Sequence, residues 1–151
     1  MSTPEDSEPK VIAVVGGLVD ESSACIALYG TDLDPSDITA RLGCQPTSSH
    51  RRGERRSPRS KPYHTGAWLL EARGTAPTGP DALIRRLFMR LPLDAELWRS
   101  LSDKNELQVR IAVHMSGWNQ GFNLSPEVVG LIHQIGAQVV FDIYAYDEQE
   151  E

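Results

Sequence analysis

The sequence lacks the long apolar run that a membrane span requires. Its longest apolar stretch, residues 11–19, has nine residues, two of them glycine, whereas a transmembrane helix needs about 20. Residues 1–10 are polar and acidic, which predicts a flexible tail rather than a secretory signal. Cysteine is also scarce, since Cys25 and Cys44 are the two in the chain. We therefore expect a cytoplasmic protein with reduced thiols and no membrane contact.

The chain also lacks the short motifs of the common catalytic and phosphate-binding sites. It contains no Gly-x-Ser-x-Gly, no glycine-rich phosphate loop and no His-Glu-x-x-His. The spacing of Cys44, His50 and His64 matches no zinc template. We therefore predict no metal, no cofactor and no catalytic residue, and an enzyme is the less favoured class.

Positive charge is concentrated in one segment of an acidic chain. The net charge is −6, yet residues 50–64 place six cationic side chains against the carboxylate of Glu54. The six are Arg51, Arg52, Arg55, Arg56, Arg59 and Lys61, and we call the segment that they span the basic loop. Nucleic-acid binding usually needs a broad positive face, so nucleic acid is a disfavoured partner. The alternatives are a solvated loop, a contact for an acidic protein and a local nucleic-acid contact.

What the sequence does contain is one helix-start pattern that occurs twice. A leucine, then Asp34 or Ser125, then a proline begins each predicted helix. The Asp or Ser side chain caps the free N–H groups of the first turn, and proline suits the first helical position. Each helix is predicted to end at a glycine, Gly43 or Gly136, which adopts the left-handed cap conformation without strain.

Alternation of apolar and polar residues predicts the strands. The predicted strands are residues 23–29, 66–72, 106–115 and 138–146, with Phe141 and Ile143 of the last facing the core. Residues 11–15 are β-branched and predict an extra N-terminal strand, either paired with the next strand or lying as an arm over an edge. Helical spacing predicts two more helices, at 80–91 and 94–102. Residues 44–66 are predicted to be a long polar loop that includes the basic loop.

This order of elements predicts a single α+β domain over residues 11–146, followed by an acidic tail at 147–151. The order is β-α-β, a helical pair, then β-α-β. It suggests a ferredoxin-like plan with a helical insertion and a mainly antiparallel four-stranded sheet. A different strand order is the alternative. Right-handed crossovers would place both capped helices on one face of the sheet.

The other face of the predicted sheet would combine aromatic and charged side chains. The predicted partner-binding residues are Tyr29, Arg110, His114, Asp142, Tyr144 and Tyr146. Tyrosine offers a large rigid contact with a polar tip, as protein interfaces prefer. This face would be a homodimer interface, a surface for another protein, a ligand-binding or weakly catalytic pocket using Arg110, His114 and Asp142, or a face covered by the N-terminal arm or the basic loop. Trp118, in the loop that follows His114, is predicted to pack beneath its turn.

Several segments resemble a known bacterial family. They are Tyr-Gly-Thr-Asp-Leu-Asp-Pro at 29–35, Leu-Gly-Cys-Gln-Pro-Thr at 42–47, Arg-Gly-Glu at 52–54 leading to a strand with Trp68, Gly-Phe-Asn-Leu-Ser-Pro at 121–126 and Phe-Asp-Ile-Tyr at 141–144. Together, over about residues 22–146, they resemble the family known as domain of unknown function 4279. That family has no assigned activity, so the resemblance implies no catalytic residue. Some small bacterial domains lie beside toxin genes as immunity proteins, and by this analogy we expect protein–protein binding that neutralises a partner.

Overall fold

A computed structural model describes residues 17–145 of the chain. In chain order the elements are β1 (Gly17–Leu18), β2 (Glu21–Gly30), α1 (Pro35–Leu42), β3 (Ser48–His50), β4 (Gly66–Thr75), α2 (Pro80–Phe88), α3 (Ala95–Ser102), β5 (Glu106–Met115), β6 (Gln120–Gly121), α4 (Pro126–Ile135) and β7 (Gln138–Ala145). The predicted tails, the predicted strand at 11–15 and Tyr146 lie outside the described residues. Within the described range, no helix is long and apolar enough to cross a membrane.

Both predicted capped helices are present. The Asp34 carboxylate and the Ser125 hydroxyl each accept a hydrogen bond from a backbone N–H in the first turn of α1 and α4. Gly43 and Gly136 follow the last residues of these helices with φ angles of 65° and 72°. That left-handed conformation favours glycine. The capping prediction is therefore confirmed at both ends of both helices.

The main sheet has five strands in the order β3-β4-β2-β5-β7. The pairings of β3 with β4, of β4 with β2 and of β2 with β5 are antiparallel, whereas β5 and β7 are parallel. A separate parallel pair joins β1 to β6. The α+β class is therefore confirmed, but the main sheet is mixed and has one strand more than the four predicted.

The ferredoxin-like plan is matched only in part, because different elements form it. β3 lies inside the predicted loop 44–66, and it takes the place that the prediction gave to the strand beginning at Gly66. β2 and β3 both run antiparallel to β4, which lies between them, so β2, α1 and β3 form a split β-α-β unit. β5 then follows the α2–α3 pair and joins the other side of β2. The predicted second β-α-β unit is present as β5, α4 and β7, with β7 parallel to β5. It adds a strand at the edge of the ferredoxin-like plan and does not complete that plan.

The helices pack on one face of the sheet. α2 contacts β2 and β4, α1 contacts β4, and α4 contacts α2 and α3. The buried side chains of these helices and of the inward strand positions form one hydrophobic core, with Trp68 and Trp98 its largest members. The placement of both capped helices on one side of the sheet is confirmed. Within residues 17–145, no helix covers the opposite face of the sheet.

Candidate functional site

The structure brings together five of the six residues predicted for the exposed face of the sheet. They are Tyr29 on β2, Arg110 and His114 on β5, and Asp142 and Tyr144 on β7. Each alternates along its strand with residues on the helix-covered side, as the period of a strand requires. We call the surface formed by these five residues the open face. Tyr146, the sixth, lies outside the described residues.

A line of hydrogen bonds runs along β5 and joins it to β7. Arg110 donates from Nη2 to Asp142 Oδ2 and from Nη1 to Gln108 Oε1, both at 2.9 Å. Gln108 Nε2 donates in turn to the Glu106 carboxylate at 3.0 Å. Gln108 is buried, whereas the side chains of Arg110 and Asp142 remain 34% and 36% exposed. The ion pair therefore orders the open face and still leaves both charged groups accessible from solvent.

Burial near this ion pair changes the pKa of two neighbouring groups. Burial, with repulsion from the Glu71 carboxylate, raises the pKa of the Cys25 thiol to about 12. Burial also raises the pKa of the Tyr29 phenol, against the opposing charge of Arg110. At Arg110 itself burial acts to lower the pKa, but Asp142 and Tyr29 outweigh it and raise that pKa. The Cys25 thiol is therefore protonated at neutral pH and is not an activated nucleophile.

The aromatic end of the open face is formed by His114 and Tyr144. Their rings stack with centroids 4.7 Å apart and planes inclined by 9°, and Tyr144 is 54% exposed. A depression of about 610 Å³ lies beside them. Its lining includes Glu21, Ser23, Arg73, Ala112, His114 and Tyr144. Among the described residues, Asp142 is bonded to Arg110 rather than to His114, so the carboxylate–imidazole pair of a general base is not formed.

Trp118 differs from its prediction. It lies in the loop between β5 and β6 and is 88% exposed, so the prediction that it packs beneath its turn is wrong. The loop is held by Gln120, whose Oε1 accepts from the backbone N–H groups of Ser116 and Gly117 at 2.8 and 3.1 Å. The Gly and Asn residues around Trp118 are the sequence signal for an exposed turn. The structure therefore adds an exposed indole close in sequence to the aromatic end of the open face.

The first part of the basic loop is held against the start of α1. Arg51 Nη2 lies 2.7 Å from Asp34 Oδ1, the same oxygen that caps the helix. Arg52 Nη2 lies 3.8 Å from Asp32 Oδ1. Two of the six predicted cationic residues are thus used within the fold. Because both arginines lie beside carboxylates, they offer less unpaired positive charge to a partner than the sequence suggested.

The rest of the basic loop projects beyond a ring stack that joins its two ends. The rings of His50 and Tyr63 stack at 3.5 Å, and Arg55 donates to the carbonyl of Ser60 at 3.1 Å. Within the basic loop, four exposed cations show no ion pair to the described residues: Arg55, Arg56, Arg59 and Lys61. The basic loop therefore presents a small positive tip, not a broad positive face.

The described residues offer little to a metal ion. Within residues 17–145, no group of three or more His, Cys, Asp or Glu side chains is placed to hold one. Cys25 and Cys44 are both free thiols. A depression of about 690 Å³ beside α1 includes Asp32, Asp34 and Asp37 in its lining, but the first two face arginines of the basic loop. The open face is therefore the stronger candidate site.

Comparison with known proteins agrees with the resemblance noted in the sequence. The sequence profile of the family described as Domain of unknown function (DUF4279) matches residues 20–146. No curated protein and no solved structure matches the chain. The matched range includes all six residues predicted for the exposed face and the whole basic loop. The chain therefore belongs to the DUF4279 family.

Proposed function

We propose that this domain acts by binding another protein through its open face. The observation that carries the proposal is the asymmetry of the sheet, since helices cover one face and ordered aromatic and charged side chains occupy the other. Tyr, Trp and Arg are the residue types that contribute most to binding at protein interfaces. Tyr144 and Arg110 supply a tyrosine and an arginine, and Trp118, in the loop that follows β5, supplies an exposed tryptophan.

These side chains are already held in fixed conformations, which favours binding. Arg110 is fixed by two hydrogen bonds, and Tyr144 is fixed by its stack on His114. Immobilising a free side chain at an interface costs about 0.5–1.5 kcal/mol, so side chains that are already ordered lose less on binding. The depression beside His114 and Tyr144 offers a place for one side chain of the partner.

The basic loop supplies a second contact, which favours a partner with an acidic patch. The basic loop follows β3, which is one edge strand of the main sheet, whereas Asp142 and Tyr144 lie on β7, the other edge strand. The two contacts would therefore be made at opposite edges of the sheet. The exposed cations Arg56, Arg59 and Lys61 would raise the association rate with an acidic protein, and salt would weaken that effect. Neutralisation of the bound partner, as an immunity protein achieves it, is the form of activity that we propose on the analogy drawn above.

Site-specific photo-crosslinking tests the proposal. A photoreactive phenylalanine analogue replaces Tyr144 in one version of the full chain and Met89 in another. Met89 is 86% exposed but follows α2 on the helix-covered side, so it is the matched control. We expect one protein to be crosslinked at position 144 and not at position 89 in cells that express the chain.

Affinity measurements with the purified crosslinked protein complete the test. We expect Tyr144→Ala and Arg110→Ala each to raise Kd at least about tenfold, the effect of losing about 1.4 kcal/mol. Met89→Ala should leave Kd unchanged. If both open-face variants keep the wild-type Kd, the proposal is wrong. A different outcome would identify a nucleic-acid contact instead. In that case the chain binds a single-stranded oligonucleotide in a salt-sensitive manner, and the combined variant Arg55→Ala, Arg56→Ala and Arg59→Ala abolishes that binding.

A further inference from the structure

Two rows of side chains cross the sheet at the depression beside His114 and Tyr144. Cross-strand pairing aligns one residue from each of four strands in the first row, which consists of Thr75, Glu21, His114 and Tyr144. The next row has its two shortest side chains at the centre, where Ser23 lies opposite Ala112. Directly opposite residues of an antiparallel pair have Cβ atoms about 5 Å apart. Ser23 and Ala112 therefore form the floor of the depression, with Glu21 and His114 beside it.

Glu21 supplies an unpaired negative charge to the depression. Glu21 is exposed, and within residues 17–145 its side chain takes part in no ion pair and no hydrogen bond. The cation of the lining, Arg73, is already bonded to the Glu71 carboxylate at 2.6 Å. Arg110, in the row after the floor, is paired with Asp142. The carboxylates of this part of the sheet therefore exceed its cations by the charge of Glu21, so the depression favours a cationic group.

The imidazole of His114 turns one flat face toward the depression. Tyr144 stacks on the other face of this ring, with ring centroids 4.7 Å apart. Because Tyr144 lies on β7, and β7 and β2 flank β5 on opposite sides, the free face of the imidazole is turned toward β2. Glu21 of β2 is the residue directly opposite His114. An aromatic face and an unpaired carboxylate therefore border the same space.

We propose that the depression binds an arginine side chain of the partner protein, an inference that rests on the function proposed above. The guanidinium would stack on the free face of His114 and donate to the Glu21 carboxylate. Arginine suits both contacts, because its planar group stacks on aromatic rings and pairs with a carboxylate through two parallel hydrogen bonds. The hydroxyl of Ser23, which makes no hydrogen bond within residues 17–145, can accept a further N–H.

Other side chains would use only part of this site. A lysine ammonium would pair with Glu21, but it has no planar group to stack on His114. An aromatic side chain would stack on the imidazole but leave the Glu21 carboxylate desolvated and without a partner. A carboxylate would be repelled by Glu21, while Arg73 is held by Glu71. Peptides that differ in this one side chain therefore distinguish the four cases.

NMR titration of the full chain with short peptides tests the arginine site. The probes are blocked tripeptides with glycine at both ends and one variable central residue: arginine, lysine, phenylalanine, glutamate or citrulline, the uncharged analogue of arginine. We expect the arginine peptide, at millimolar concentration, to shift the amide signals of Glu21, Ser23, Ala112 and His114. Its affinity should exceed that of the lysine peptide at least about threefold and that of the citrulline peptide at least about tenfold. The inference is overturned if the arginine peptide shifts none of these signals, or if another peptide binds there as tightly.

Substitutions in the depression complete the test. Glu21→Gln and His114→Ala should each weaken binding of the arginine peptide at least about fivefold, whereas His114→Phe keeps an aromatic face and should retain it. Glu96→Gln is the matched control, because it removes the same charge from the first turn of α3 and should leave the affinity unchanged. Unshifted core signals show that each variant stays folded. Equal affinities for Glu21→Gln and the wild type would overturn the inference.

The titration is independent of the crosslinking experiment, because it uses no partner protein. If crosslinking at position 144 succeeds and the peptides do not bind, the open face binds a protein but the arginine assignment is wrong. If the arginine peptide binds and no protein is crosslinked, the arginine site stands and the proposed function is wrong.

Discussion

The carboxylate of Asp81, at the start of α2, accepts a hydrogen bond of 2.7 Å from the backbone N–H of Ser125, the cap of α4. Its other oxygen accepts from Arg85 Nε at 2.9 Å, and Arg85 Nη2 donates to the Ser125 hydroxyl at 2.8 Å. Arg85 also reaches the carboxylate of Glu127. Burial acts to raise the pKa of Asp81, but the hydrogen bonds from Arg85 and Ser125 outweigh it and lower that pKa. The starts of two helices are thus held together by one charged cluster.

Asp81→Asn should therefore reduce the free energy of unfolding at pH 7 by about 1–2 kcal/mol, because the charge-assisted bond to Arg85 is lost. A lowered pKa contributes stability above the ordinary value of 3.8, and that contribution disappears as pH falls through the folded pKa. Urea unfolding between pH 2 and 7 should show a shallower acid decline in the variant. Asp94→Asn, which alters a cap that bonds to Glu96 N–H, is the control. Equal acid slopes for wild type and Asp81→Asn would contradict this account.

Arg110→Ala should destabilise the fold by about 1–2 kcal/mol, since Oε1 of the buried Gln108 loses its hydrogen-bond donor and the arginine stem no longer covers the sheet. Arg73→Ala is the matched control, because Arg73 pairs with Glu71 at 2.6 Å but its side chain is 80% exposed. Exposed pairs contribute about 0–1 kcal/mol. Urea unfolding of both variants compares them, and an equal loss would show that the Arg110 hydrogen bonds add nothing to stability.

Stability should fall at alkaline pH because of Cys25. In the unfolded chain the thiol ionises near its ordinary pKa of 9.0, whereas in the fold its pKa is about 12. The unfolded state therefore loses its proton first, so stability is full below pH 9 and declines between pH 9 and 12. Cys25→Ala should flatten that decline in urea unfolding at pH 8 to 11. Cys44→Ala is the control, and a flattening of the same size there would argue against the effect.

Two glycine substitutions should act in opposite directions. Gly130 lies inside α4, and a Cβ there would meet nothing within 4 Å, so Gly130→Ala should stabilise the fold by about 0.5–1 kcal/mol. At Gly66 a Cβ would lie 3.0 Å from the backbone oxygen of Leu33, so Gly66→Ala should destabilise it. Thermal unfolding would show Tm moving by about 2–4 °C per kcal/mol. A lower Tm for Gly130→Ala would refute the first expectation.

The sequence predicted those parts of the fold that are specified by residues close together in the chain. The caps at Asp34 and Ser125 and the glycines that follow both helices are specified within a few residues, and the strand Glu106–Met115 was predicted with its observed bounds. β3 gives no such signal, because Ser48–His50 is three residues long and has no apolar alternation. Missing β3 also changed the predicted topology, since that strand completes the first β-α-β unit.

The sequence predicted the face of the sheet to which each strand side chain points. It did not predict whether a helix covers that side chain or leaves it exposed. Alternation placed Arg110, His114 and Tyr144 on one face correctly. The same rule predicted that Phe141 and Ile143 face the core, and this is wrong, because their side chains are 51% and 61% exposed. A sequence pattern does not say whether a helix lies over that part of the sheet. The Asp81–Ser125 hydrogen bond was beyond sequence reasoning as well, because it joins residues 44 apart.

β2 is among the first segments of the described chain to leave the ribosome, and it lies between β4 and β5. Its two sides pair over nearly their full length with strands that follow much later, the last of them at Glu106–Met115. At a synthesis rate of about 5–20 residues per second, the apolar segment Ala24–Leu28 would wait roughly 4–17 s for β5 to emerge. The nascent chain should therefore be a substrate for ribosome-associated chaperones until that moment.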